Sequence, residues 1–127
     1  MSGNRLLVDT NIILYILNGN ENTLGYIQGK DVYISSISEL ELLSYSKLNE
    51  SDLLEIRSLL ETLTIVELTY PVKDHTIKIR KKYKFKLPDS IVLATAVYLG
   101  IPLLTADKQL AQAKDETDVI LYNVTQT

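Results

Sequence analysis

Leu6-Leu7-Val8-Asp9-Thr10-Asn11-Ile12-Ile13-Leu14-Tyr15-Ile16-Leu17 reads as a short buried strand that runs straight into a helix. Leu6–Val8 is apolar throughout, as a strand covered on both faces must be. The helix expected over Asn11–Leu17 takes Thr10 as a candidate N-cap and stops at Asn18-Gly19-Asn20. Asp9 is left at the junction. The pattern recurs outward from this unit. Val32–Ser35 is strand-like and leads into a helix expected over Ser36–Leu48. Ser51-Asp52 can cap the next helix, and Thr64–Leu68 is strand-like again. Pro71 suits the first turn of a helix reaching about Tyr83. Pro88 starts a helix that is apolar almost all round and ends at Gly100. Pro102–Thr105 and Val119–Tyr122 read as strands, with a short helix over Asp107–Ala113 between them.

Strands alternating with helices imply a parallel sheet covered on both faces, with right-handed crossovers. The expected architecture is therefore a three-layer α/β/α fold with a small five-stranded parallel sheet. A strand order of 3-2-1-4-5 makes the first and fourth strands neighbours and puts the switch point between them. At 127 residues the length fits one domain over 1–127.

Four acids fall at equivalent places: Asp9, Glu41, Asp89 and Asp107. Each follows an apolar strand-like run or lies on a helix just after one. In a parallel sheet these places converge outside the carboxyl ends of the strands. Each has a purely structural role open to it, as a cap or first-turn acid at a helix start, or for Glu41 as an acid bordering a buried face. Those roles leave the repetition at one edge unexplained. Four carboxylates in one crevice repel each other unless a cation sits among them, and oxygen-only ligands suit Mg²⁺ or Mn²⁺. A metal-dependent hydrolase of phosphate esters is the chemistry that follows. Asn11 and Thr105 lie near the same edge as supporting groups. The helical spacing of Ile37, Leu40 and Ser44 sets Glu41 beside a buried face and turns Glu39 elsewhere.

The net charge of −3 argues against a nucleic-acid partner only until the four acids are set aside, which leaves 12 acids against 13 bases. Lys73, Lys78, Arg80, Lys81, Lys82, Lys84 and Lys86 then form a basic stretch just before Asp89. Lys78, Lys81, Lys82, Lys84 and Lys86 are the candidates for an RNA phosphate track, against the alternative of a solvated helix face. Tyr83 and Phe85 interleave with them as candidates for base stacking, with the core a competing destination for Tyr83. His75, the only histidine, is read as structural or solvated. The absence of cysteine excludes disulfides and thiolate metal sites. No signal-peptide pattern or apolar run long enough for a bilayer is apparent, so the cytoplasm is the expected compartment and no membrane the expected partner.

At these residues the chain resembles the PIN-domain ribonucleases and, within them, the toxins of VapBC-type (type II) toxin–antitoxin modules. Asp9-Thr10-Asn11, Glu41-Leu42, Leu87-Pro88-Asp89 and Leu104-Thr105-Ala106-Asp107 carry the resemblance, in order, from about residue 5 to 122. Ser44-Tyr45 stands where the family often has glycine. The resemblance implies an endoribonuclease dependent on Mg²⁺ or Mn²⁺, with Asp9, Glu41, Asp89 and Asp107 as the acidic tetrad and metal ligands. It also implies water as the attacking group, and 5′-phosphate and 3′-hydroxyl products. A small antitoxin protein and a homodimer are the implied partners. A housekeeping RNA-processing nuclease and a non-catalytic RNA- or protein-binding module are the competing readings. An aspartyl phosphatase or phosphoacceptor receiver fits poorly, because Asn11 stands where a second acid is needed.

Overall fold

The structure is a computed structural model and describes residues 4–122. In chain order it contains β1 (Arg5–Val8), α1 (Thr10–Leu17), α2 (Glu21–Ile27), β2 (Asp31–Ser35), α3 (Ser36–Leu43), α4 (Glu50–Leu60), β3 (Thr64–Val66), α5 (Tyr70–Lys82), α6 (Leu87–Leu99), β4 (Leu103–Thr105) and β5 (Val119–Leu121). A 3-10 helix, Leu110–Ala113, lies between β4 and β5. The five strands form one sheet in the order β3-β2-β1-β4-β5, every pair parallel. The expected order therefore holds. Val8 is paired with Leu104, and Asp9 N–H donates to the Leu104 carbonyl at 3.0 Å.

Side chains alternate between the two faces with the period of a strand. In β1, Leu7 packs into the core under α5 and α6, whereas Leu6 and Val8 enter the core under α1 and α4. Leu103 and Leu104 divide in the same way. Both faces are covered, which is why these strands are apolar throughout. Helix α6 is buried along Ser90–Ala96, sandwiched between α5 and the sheet. Gly100 closes it in the left-handed conformation, φ 68°, a shape glycine adopts without a Cβ penalty.

Several boundaries differ from the sequence expectation. Helix α1 is capped by Asp9 rather than Thr10. The Asp9 Oδ1 accepts from Thr10 N–H at 2.8 Å, and Thr10 is the first helical residue. Helix α3 ends at Leu43 rather than Leu48, because Ser44 caps it and turns its hydroxyl back onto the Leu40 carbonyl. The following chain turns so that Leu48 packs into the core beneath α1 and α4. Asn49, not Ser51, then caps α4, and Asp52 returns the bond to the Asn49 N–H in a capping box. After Asp107 there is no α-helix among the described residues. The segment is a turn followed by the 3-10 helix, too short for an i→i+4 ladder to establish itself.

Candidate metal centre

Two strands pass into helices with almost no intervening loop, and this places the first half of the site. Asp9 follows β1 and Ser35 ends β2 as the cap of α3. Asp9 is buried. Its Oδ1 takes the Thr10 N–H and its Oδ2 takes the Thr105 hydroxyl at 2.8 Å. Thr105 is also buried, at the end of β4, and its oxygen accepts from Asp107 N–H at 3.0 Å. One hydroxyl thus ties the acid after β1 to the acid after β4. The Asp107 carboxylate accepts from Gln109 N–H at 2.9 Å, which fixes it in the turn after β4.

Glu41 enters from α3. Its Oε1 accepts from the Thr10 hydroxyl at 2.8 Å. Its neighbour Glu39 instead lines a separate hollow with Arg57, Leu60, Glu61 and Ile65. The two glutamates thus lie in different surroundings, although the face of α3 that is buried differs from the expected one. Leu40 is 59% exposed, and Ser38 and Leu42 are the buried positions of α3. The helix is therefore rotated relative to the face marked by Ile37, Leu40 and Ser44. Thr10 and Ser38, which make these contacts, carried no site role in the sequence reading. Their signal was Ser38 three residues before Glu41, which puts both on one face of the helix.

Asp89 lies in the first turn of α6, half-buried. Burial, and then the charges of Asp9, Asp107 and Glu41, push its carboxyl up to about 6; the nearby Lys86 opposes this weakly. Burial also raises the Asp9 carboxyl, against the hydrogen bonds from Thr105 and Thr10. Asp89 is therefore in electrostatic reach of the other three acids, and Asp9 of Glu41 and Asp107. No basic side chain neutralises them, because the ion pairs among the described residues, Lys78–Asp74 and Lys82–Glu116, lie elsewhere. Three of the carboxylates do not close on a common point among the described residues. An oxygen-only donor set with uncompensated negative charge fits a hard divalent cation. Asn11 is exposed on the first turn of α1, beside Asp9 in sequence.

The structure divides the basic stretch. Lys82 Nζ is bonded to Glu116 at 2.7 Å, and Tyr83 donates its hydroxyl to the same oxygen at 3.0 Å. Tyr83 and Phe85 stack at 4.9 Å with nearly parallel rings, and Phe85 is buried. Neither ring is presented for base stacking. Lys78 pairs with Asp74 one turn away. Lys81, Lys84 and Lys86 are exposed and form no ion pair among the described residues. Lys84 lines a small hollow with Phe85, Gln109 and Gln112.

A doubly wound parallel sheet whose switch-point crevice gathers carboxylates and hydroxyls defines a class of small α/β proteins with an oxygen-donor centre. The chain belongs to the PIN-domain family, whose family model matches residues 6–116. Comparison with curated protein sequences gave no match. Among solved structures it is similar to a toxin–antitoxin complex from Klebsiella pneumoniae, at 28% identity and TM-score 0.75, covering 84% of this chain and 90% of the other. It is similar to FitAcB from Neisseria gonorrhoeae, at 26% identity and TM-score 0.77, covering 96% and 99%. VapBC2 from Rickettsia felis, bound to a DNA fragment from its promoter, shares the fold at 19% identity and TM-score 0.79, covering 94% and 99%. No helix among the described residues is long and apolar enough to cross a membrane.

Proposed function

We propose that this protein is an endoribonuclease dependent on Mg²⁺ or Mn²⁺ and the toxin of a toxin–antitoxin pair. PIN domains are a nuclease family, and the toxin–antitoxin relatives support the second half of the reading. The observation that carries it is the gathering of acids at one sheet edge, where Asp9 is buried, Asp89 is half-buried, and burial raises both carboxyls. Burying such charge without a partner costs stability, so the arrangement needs a cationic occupant.

Asp9, Glu41, Asp89 and Asp107 would hold the cation, and Asn11 and Thr105 support them. When bound, the cation supplies charge to a phosphoryl oxygen and acidifies a water for in-line attack. Thr105 keeps Asp9 oriented and fixes its spacing from Asp107. Lys84 and Lys86 offer ammonium groups outside any ion pair to RNA phosphates on the Asp89 and Asp107 side, whereas Lys82 is already committed to Glu116. The antitoxin would be a small protein with an apolar segment. A groove of about 230 Å³ that includes Leu14, Leu17, Tyr45, Leu48 and Ile56, between α1 and α4, suits such a segment. A homodimer is the proposed state of the free toxin.

The test is cleavage of mixed cellular RNA by purified protein with Mg²⁺, with Mn²⁺ and with chelator, beside Asp9→Asn. Metal-dependent cutting by the native protein alone supports the reading. Absence of both cutting and cation binding would overturn it and favour a binding module.

A further inference from the structure

We propose that Thr10 and Ser38 are positioning residues that aim Glu41 into the metal centre. The inference rests on the metal-site reading above and concerns two residues to which that reading gives no role. Thr10 Oγ1 lies 2.8 Å from Glu41 Oε1 and 2.8 Å from Ser38 Oγ. A hydroxyl has one proton to give. The carboxylate can only accept, so the Thr10 proton goes to Glu41 and the Ser38 proton goes to Thr10. The result is a directed chain, Ser38 to Thr10 to Glu41, in which each bond polarises the next.

Burial gives the chain its stiffness. Ser38 is 0% exposed and Thr10 is 7% exposed. Water competes poorly for their hydroxyls, and the β-branched Thr10 has few χ1 choices in a helix. The same residue also gives its N–H to Asp9 Oδ1 at 2.8 Å. Thr10 therefore grips two acids at once, Asp9 through the backbone and Glu41 through the side chain, although they belong to different βα units. Glu39, two residues away on α3, faces the Arg57 side instead. The pair thus decides which glutamate of Ser38-Glu39-Leu40-Glu41 serves the site. A hydrogen bond that fixes a ligating carboxylate improves metal affinity by pre-orienting it.

The experiment titrates Mn²⁺ alone into the purified full chain by calorimetry, with melting of the metal-free proteins recorded in parallel. The variants are Thr10→Val, Thr10→Ser, Ser38→Ala, Glu41→Gln, Glu39→Gln and the double variant Thr10→Val/Glu41→Gln. Thr10→Val keeps shape and removes the hydroxyl, and should weaken Mn²⁺ binding roughly tenfold or more. Thr10→Ser restores the hydroxyl and should bring affinity back to near the native value. Ser38→Ala should give a smaller loss of the same kind. The double variant should be little worse than Glu41→Gln, since both changes remove one interaction, and Glu39→Gln should bind as the native protein does. If Glu41→Gln weakens binding while folded Thr10→Val and Ser38→Ala do not, the positioning role is overturned and the metal site stands. Equal losses in Thr10→Ser and Thr10→Val, or full additivity in the double variant, would overturn it as well. Failure of the native protein to bind Mn²⁺ would remove the metal site and this inference together.

Discussion

Two charged regions of this molecule solve opposite problems. At the Lys82–Glu116–Tyr83 contact every group meets a partner. The Lys82 ammonium beside Glu116 holds that carboxyl below its ordinary value, and the hydrogen bond to Glu116 raises Lys82 in turn. At the carboxyl edge of the sheet, acids lie near other acids, and burial, with repulsion from their neighbours, raises Asp89 and Asp9. The first region ties the chain leading into α6 to the segment before β5, and is complete as it stands. The second has no ion-pair partner among the described residues, and Lys86 opposes the rise of Asp89 only weakly. Satisfied electrostatics mark structure here, and unsatisfied electrostatics mark the place where chemistry is proposed.

Asp9→Asn should disturb this contrast most. RNA cleavage should fall at least about a hundredfold, measured as initial rates at saturating Mn²⁺. The same change should raise the melting temperature of the metal-free protein, because a buried charge is removed while a carboxamide oxygen still accepts from Thr10. Loss of stability instead would mean that the Asp9 charge is already compensated.

The lysines come next. Lys84→Ala with Lys86→Ala should raise the apparent KM for RNA severalfold. It should also reduce the salt dependence of binding, by about one slope unit for each phosphate that is no longer neutralised. Lys82→Ala should leave both unchanged, since Lys82 is held by Glu116. Binding measured across a salt series distinguishes them. Equal effects of all three would return the lysines to one undivided basic track.

The two regions should also answer pH in opposite senses. Asp89 binds its proton more tightly folded, at about 6, than at its ordinary 3.8. The folded state then holds more protons between these values, so this group's contribution to stability falls as pH rises from about 4 to about 6. The size is on the order of 1–2 kcal/mol after allowance for solvent screening of a half-buried group. Saturating Mn²⁺ should flatten that slope, and metal affinity should drop as pH falls through about 6, where protons compete for Asp89. Glu116, lowered in the fold, contributes stability above its ordinary value of 4.5, and this is lost as pH falls through its folded value. Denaturant melts across pH, with and without Mn²⁺, test both signs.

Glu116→Gln should have the mildest consequence. The Tyr83 hydroxyl keeps an acceptor, and an exposed ion pair contributes little. Thermal melting should show a slight destabilisation and cleavage should be unchanged. A large loss of activity would show that the contact acts on Asp89 through the start of α6.

Local residue patterns were enough to specify the βα alternation and the parallel sheet, whereas the strand order was read from the requirement that Asp9 and Asp107 follow neighbouring strands. Apolar runs covered on both faces, Pro at helix starts and Gly at helix ends act through neighbouring residues, and the handedness of βα crossovers leaves few topologies. Other features arose only from long-range packing. The end of α3 depended on where Leu48 packs, and its rotation on which of Ser38, Leu40 and Leu42 found the core. The partners of Lys82 and the burial of Phe85 depended on Glu116 and the α5–α6 packing, 34 residues away for the ion pair. The links from Thr105 to Asp9 and from Thr10 to Glu41 span 96 and 31 residues. No local propensity encodes a hydrogen bond between segments that distant; it exists only once the sheet has brought their ends together.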